Sequence, residues 1–384
     1  MRAVSRVAAR IPLADVRLPP EAVAAATSVL EGGWLSSGRK VEEFEGLFAA
    51  YVGARHAIAC SSGTGALQLA FAALGLRPGD EVVLPSLTFV AVANAAIAAG
   101  AVPVLADVVG EDDLTLDPDS VARLIGPRTR VVSTMDYGGR PCSPEVCDVA
   151  RSEGVAVVED AAHAPGARLA DGRRCGTLGD LSCFSFFANK NLALGEGGMV
   201  TTDDEQLARA VRRLRSHGQT STTWERHTGK ATTYDIERTG FNFRFDELRA
   251  AMGSVLMPGL DDAIERRGRA VERYRQGVAA LEGVELPFSG RDPGERPAHH
   301  LAAVVLDPEI DRDRVAGHLR ARGIQTSVHY VPIHRMSAHR DRAADVSITE
   351  DLAERLLTLP LYPHLEPEQV DTVLDALGDA LSTS

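Results

Sequence analysis

Over residues 56–158, short apolar runs alternate with segments of helical length, and this alternation limits the fold more than any other feature. Residues 56–60, 81–84, 102–105, 131–134 and 155–158 are too short for helices and have the near-continuous apolar character of strands buried on both faces. Residues 66–74, 88–99 and 143–153 have helical length. The pattern predicts an α/β fold on a mainly parallel sheet, because parallel neighbours need crossover connections. Ligands of such sheets sit beyond the carboxyl ends of the strands. Residues 89–106 form an 18-residue stretch without a charge, near the length of a membrane span. Asn94, Gly100 and Pro103 interrupt it, so it reads as a buried helix followed by a buried strand, and no membrane association is expected.

A net charge of −12 excludes a general phosphate-backbone binder, so no nucleic-acid partner is expected. The five cysteines are odd in number and include no Cys-x-x-Cys pair; they read as reduced thiols of a cytoplasmic protein. The histidines show no metal-ligand spacing, and no metal site is expected. Residues 1–10 carry positive charge without an apolar core of signal-peptide length and read as an N-terminal arm. An amphipathic helical pattern beginning near Phe245 breaks at Met257-Pro258-Gly259. That break divides the chain into a large domain, 1–257, and a smaller C-terminal α+β domain, 258–384.

Three strand ends carry candidate chemistry. After the first strand, Ser62-Gly63-Thr64-Gly65 opens a helix whose free N–H groups, hydroxyls and positive dipole end can cradle a phosphate. It is not a dinucleotide fingerprint, since Gln68 stands where a third glycine is needed. Alone, such a turn is as well explained as a helix cap. After the strand 155–158 comes Asp160, a carboxylate whose burial needs a cation nearby, either a protonated heterocyclic nitrogen or a structural arginine. The third end carries Ser185 and then Lys190, flanked by aromatic residues and by Gly195, Gly197 and Gly198. Desolvation lowers a lysine's pKa, as an amine nucleophile requires. Phosphate cradle, carboxylate and lysine together suit pyridoxal 5′-phosphate, with Phe89 placed to stack on the pyridine ring.

Specific motifs run nearly end to end: Trp34-Leu35-Ser36-Ser37-Gly38, Ser61-Ser62-Gly63-Thr64-Gly65, Pro85-Ser86-Leu87-Thr88-Phe89, Glu159-Asp160-Ala161-Ala162-His163, Phe184-Ser185-Phe186, Lys190-Asn191, Gly240-Phe241-Asn242-Phe243-Arg244, His329-Tyr330 and Leu359-Pro360-Leu361. In these the chain resembles the DegT/DnrJ/EryC1/StrS family of sugar aminotransferases. The resemblance implies the fold type I architecture of pyridoxal-phosphate enzymes, with a mainly parallel seven-stranded sheet flanked by helices. It implies that Lys190 bonds to the cofactor aldehyde, that Asp160 pairs with the pyridinium, and that His163 lies near the ring hydroxyl. Ser62, Gly63, Thr64 and Ser185 would hold the phosphate, and Phe89 would stack. Asn242 would reach the phosphate in a second copy, giving a homodimer with shared active sites. Trp34, Ser36, His329 and Tyr330 would meet substrate. Phe187-Ala188-Asn189 ahead of the lysine departs from the His-Pro that many relatives carry, which puts substrate preference in doubt.

The implied reaction moves an amino group from glutamate or glutamine to a keto-sugar in nucleotide-linked form, with Lys190 shuttling the proton. A keto-cyclitol acceptor is the alternative within the family. A regulator would not need Lys190, Asp160 and the phosphate turn together, and relatives that act as dehydratases carry histidine in place of the lysine. The polar segment 216–240 is expected to be a functional loop at the dimer interface, with Arg226, His227 and Lys230 as candidates for a substrate diphosphate.

Overall fold

The computed structural model describes residues 11–290, 292–342 and 345–382. Seven strands form the main sheet: β1 (His56–Cys60), β2 (Glu81–Pro85), β3 (Val102–Ala106), β4 (Thr129–Met135), β5 (Ala156–Asp160), β6 (Leu181–Ser185) and β7 (Gly198–Thr202). Their spatial order is β1-β7-β6-β5-β4-β2-β3. β7 runs antiparallel to both of its neighbours, and the other pairings are parallel. The sheet is therefore mainly parallel, as the alternation predicts.

Because strand side chains alternate between faces, each strand serves two cores. Ile58 and Cys60 of β1 pack with the helices Gly63–Ala73, Ala91–Ala98 and Glu205–Leu214. Ala57 and Ala59 face the other way, onto Phe44, Phe48, Phe184, Phe186 and Phe245. That aromatic cluster is built from edge-to-face and offset rings, with Phe48 and Phe184 centroids 4.9 Å apart. It supports the β6 end from below.

A second, antiparallel sheet has the order β10-β9-β8, from β8 (Val284–Glu285), β9 (Ala302–Leu306) and β10 (Leu356–Leu359). It shares a separate core with the helices Leu260–Val278, Arg312–Ala321 and Pro367–Ser382, and Ile11 joins that core through a bridge to Ile324. The 3₁₀ turn Met257–Gly259 stands between the helices Glu247–Leu256 and Leu260–Val278.

Three sequence expectations change. The helix expected from residue 88 begins at Ala91, and Phe89 is 52% exposed, so the stretch 89–106 is not buried at its start. Val102 is 42% exposed because β3 is an edge strand. Segment 216–240 is not structureless: the short helix Thr223–His227 is closed by a Thr222/Glu225 capping box, and Gln219 bridges to Ile236. Among the described residues no helix is long and apolar enough to cross a membrane, and all five cysteines are free and buried.

Candidate active site

Strand register assembles the site. Cys60 of β1 and Ser185 of β6 both pair with Gly198 of β7, and Asp160 of β5 pairs with Cys183 of β6. The ends of β1, β6 and β5 thus open side by side onto a cavity of about 350 Å³, which Ser62, Gly63, Thr64, Asp160, Ser185 and Lys190 line. Phe89, His163, His329 and Tyr330 line it too.

The first wall is the turn into the helix Gly63–Ala73. Ser62 caps it, its Oγ accepting from Gly65 N at 3.0 Å. Gly63 and Thr64 occupy the first helical positions, where N–H groups have no acceptor within the helix. A Cβ at Gly63 would stand 2.8 Å from Ser185 Cβ, and one at Gly198 would stand 2.3 Å from the Ser62 carbonyl oxygen. Only glycine lets these three strand ends approach so closely, and the approach faces N–H groups and two hydroxyls into one hollow.

Asp160 ends β5 and is 5% exposed. Desolvation raises its carboxyl to about 6, against the pull of an Ala162 N–H bond and the Lys190 charge. Glu159, one residue earlier, points to the opposite face, where Gly176 N, Leu178 N and Ser182 Oγ donate to it. Lys190 sits on the loop after β6, fixed by its own N–H to Phe187 O and by the Phe186 and Gly197 backbones. Desolvation lowers its ammonium to about 8, with Asp160 opposing.

His163 is buried, and desolvation first, then Lys190, pushes its pKa well below the usual imidazole value, so the ring is neutral. Gly138 N–H donates to its Nδ1 at 3.3 Å, which leaves the proton on Nε2. Nε2 lies 2.8 Å from the Tyr330 oxygen and donates to it. The tyrosine hydroxyl keeps its own hydrogen for an acceptor in the cavity. Phe89 stands beside it, ring centroids 5.8 Å apart.

Sequence reasoning did not find the role of His300. Its ring packs 4.3 Å from His163, and its Nδ1 lies 3.2 Å from Asn191 Oδ1, while Asn191 Nδ2 donates to Ala298 O. The pair ties the residue after Lys190 to the segment leading into β9. Asp136, Glu159 and Cys175 also place ligand-type atoms within 4.8 Å of one another beneath the sheet, a grouping that sequence spacing hides. Burial raises Asp136 and Cys175 well above their usual values, toward their neutral forms.

Trp34, Ser36 and Asn242 are not brought to this cavity. Trp34 stacks on His227 at 4.5 Å and meets Trp224 at 5.2 Å. Ser36 is exposed, and so is Asn242, which bridges to Ser216. Arg226 donates to Ser221 and covers the Tyr234 ring at 4.5 Å, and it does not line this cavity.

The model of the DegT/DnrJ/EryC1/StrS aminotransferase family matches residues 17–378. The chain belongs to this family. Like the family, it is an aminotransferase. It is 39% identical over 369 residues to the spore coat polysaccharide biosynthesis protein SpsC of Bacillus subtilis, with 94% of each chain covered. It is 38% identical over 381 residues to a dTDP-3-amino-3,4,6-trideoxy-alpha-D-glucose transaminase of Streptomyces venezuelae, with 96% of each covered. Its fold is that of Streptomyces venezuelae DesV, solved in complex with a ketimine intermediate, at a TM-score of 0.86 and 38% identity over 94% of each chain. This is the fold type I architecture of family members that use pyridoxal phosphate. The cavity fits that cofactor: the glycine-lined hollow of N–H groups and hydroxyls suits its phosphate, Asp160 its ring nitrogen, and Lys190 its aldehyde.

Proposed function

We propose that the protein transfers an amino group from glutamate or glutamine to a ketone on a nucleotide-linked sugar, with pyridoxal 5′-phosphate as cofactor. The observation that carries the reading is the convergence of the Ser62–Thr64 turn, Asp160 and Lys190 on one cavity within a chain of this family. Similarity to the dTDP-amino-sugar transaminase supports a nucleotide-linked substrate.

When bound, the cofactor supplies an aldehyde that carries the amino group and a ring that accepts the electron pair left by the departing α-proton. The protein's residues supply the rest. Gly63 and Thr64 N–H groups and the Ser62 and Ser185 hydroxyls bind the phosphate. Asp160, ionised above about pH 6, pairs with the ring nitrogen and keeps it protonated. Lys190, with a pKa near 8, has a neutral fraction at physiological pH and can take a proton at Nζ from the donor's Cα. Neutral His163 holds the Tyr330 hydroxyl so that its hydrogen points to the ring oxygen or the substrate. Phe89 covers the ring and excludes water.

The reading includes a large domain, 1–257, and a small domain, 258–384, the latter delivering His329 and Tyr330. It also includes a homodimer, in which Asn242, outside its own chain's cavity, would meet the phosphate of a second copy's cofactor as the family resemblance implies. The direct test is incubation of purified protein with glutamate and a panel of nucleotide-linked 3- and 4-keto-sugars, followed by mass spectrometry. Conversion of at least one to its amine, with 2-oxoglutarate released, is the expected result. Conversion of a keto-cyclitol alone would replace the sugar with the cyclitol as substrate class.

A further inference from the structure

A second cleft, of about 480 Å³, shares Lys190 with the cofactor cavity but has other walls. These are residues 15–19, the first turns of the helix Leu260–Val278, and the turn at Pro363 and His364. Besides the shared Lys190, four of its lining side chains are formally or potentially cationic: Arg17, Arg266, Arg267 and His364.

Three of them have carboxylates. Arg17 and His364 both reach Asp15, at 3.3 and 2.7 Å, and Arg266 reaches Asp262 at 2.8 Å. Arg267 does not. It is 3% exposed, one Nη donates to the Leu361 carbonyl at 3.0 Å, and its Nε has no acceptor. Among the described residues no carboxylate lies within ion-pair distance of it, and positions 1–10, 291, 343–344 and 383–384 hold no aspartate or glutamate. The neighbouring His299 and His300 rings are held neutral, by burial first and by nearby cations including Arg267 second, and a histidine offers no negative charge in either protonation state. Burial lowers the guanidinium to about 10, which still leaves it charged at neutral pH. A desolvated cation that lines an open cleft and has no carboxylate partner is a site that lacks its anion.

We propose that this cleft is an oxyanion subsite in which Arg267 anchors a carboxylate or phosphate group. The planar guanidinium fork matches either group, and one uncompensated charge suits a small anion rather than a polyanion. Two sources supply such a group: a dicarboxylate of the amino-donor kind, or a phosphate. Because Lys190 lines both cavities, an anion here lies against the loop that carries the lysine, whichever source provides it.

The test is thermal unfolding of the protein loaded with pyridoxal phosphate, so that the cofactor's own phosphate site is filled. Sodium phosphate and sodium glutarate are titrated separately, each against sodium chloride at equal ionic strength. Wild type should gain about 3 °C with a saturable dependence on at least one of them. Phosphate acting alone would identify a phosphoryl ligand, and glutarate acting alone a donor-type carboxylate. Arg267→Gln should abolish the shift, and Arg266→Gln should keep it. Should Arg267→Gln fail to fold, Arg267→Lys decides, with a midpoint about tenfold weaker because an ammonium lacks the fork. No shift beyond chloride in wild type, or an unchanged midpoint in the folded Arg267 variant, would overturn the site.

Discussion

The cofactor cavity and the Trp34 cluster are built on different principles. In the cavity, each key residue stands at or just past a strand end, and backbone register fixes its neighbours: Cys60, Gly198 and Ser185 align, with Asp160 one strand further. The Trp34 cluster is loop against loop, with indole, imidazole and indole from residues 34, 227 and 224 packed together. One chain brings the first arrangement's strand-end residues together. The second, with Ser36 and Asn242 exposed, leaves groups that the family resemblance ties to ligands but that this chain alone does not bring to any. Residues set by the sheet should therefore control the chemistry, and residues set by loops should control binding between copies.

The largest effect expected on that division is at Lys190. Lys190→Ala should lower turnover by at least about 10⁴-fold, because nucleophile and proton carrier are lost together, with little change in Tm. Turnover assays and calorimetry read the two separately. Next is Asp160→Asn, which removes the charge opposite the ring nitrogen and should cost roughly 10²–10³-fold in kcat. A cost under tenfold would detach Asp160 from the chemistry.

The dependence on pH follows from the same two groups. Only neutral Nζ attacks an aldehyde, and the Lys190 pKa is lowered to about 8, so capture of pyridoxal phosphate by the apoprotein should accelerate as pH rises through 8. At pH 6 the neutral fraction is about 1%, so capture there should be roughly fiftyfold or more below its plateau. Stopped-flow absorbance checks this, and a midpoint near 10 would mean that the pocket does not desolvate the lysine.

The smallest effect belongs to the loop residues. Asn242→Ala should weaken cofactor retention by about tenfold while leaving the pH midpoint alone, as loss of one hydrogen bond to a charged group implies. Mixed with Lys190→Ala, it should recover activity, since a mixed dimer contains one site with native Lys190 and the other copy's native Asn242. Absence of recovery would confine each site to one chain.

Most of the cavity was legible in the sequence because sheet periodicity and turn glycines are local signals. Ser62, Gly63, Asp160, Ser185 and Lys190 all follow apolar runs short enough to be strands. The start of the helix at Ala91 was not legible, since the uncharged stretch from residue 88 has the same pattern whether its first residues are helical or precede the helix. His300 was hidden for another reason: its contact with His163 joins positions far apart in sequence, and two adjacent histidines carry no spacing signal. Arg267 lies in a helix rich in paired arginines, and only its contacts reveal that it has no carboxylate.

The central claim is that Lys190 and Asp160 form a working transamination site, and visible absorbance tests it most directly. Wild-type protein mixed with pyridoxal phosphate should turn yellow and lose that band on addition of glutamate or glutamine, while Lys190→Ala should show an altered or absent band and no response. A wild-type protein that stays colourless with the cofactor, or a Lys190→Ala variant that responds to the donor as wild type does, would contradict it.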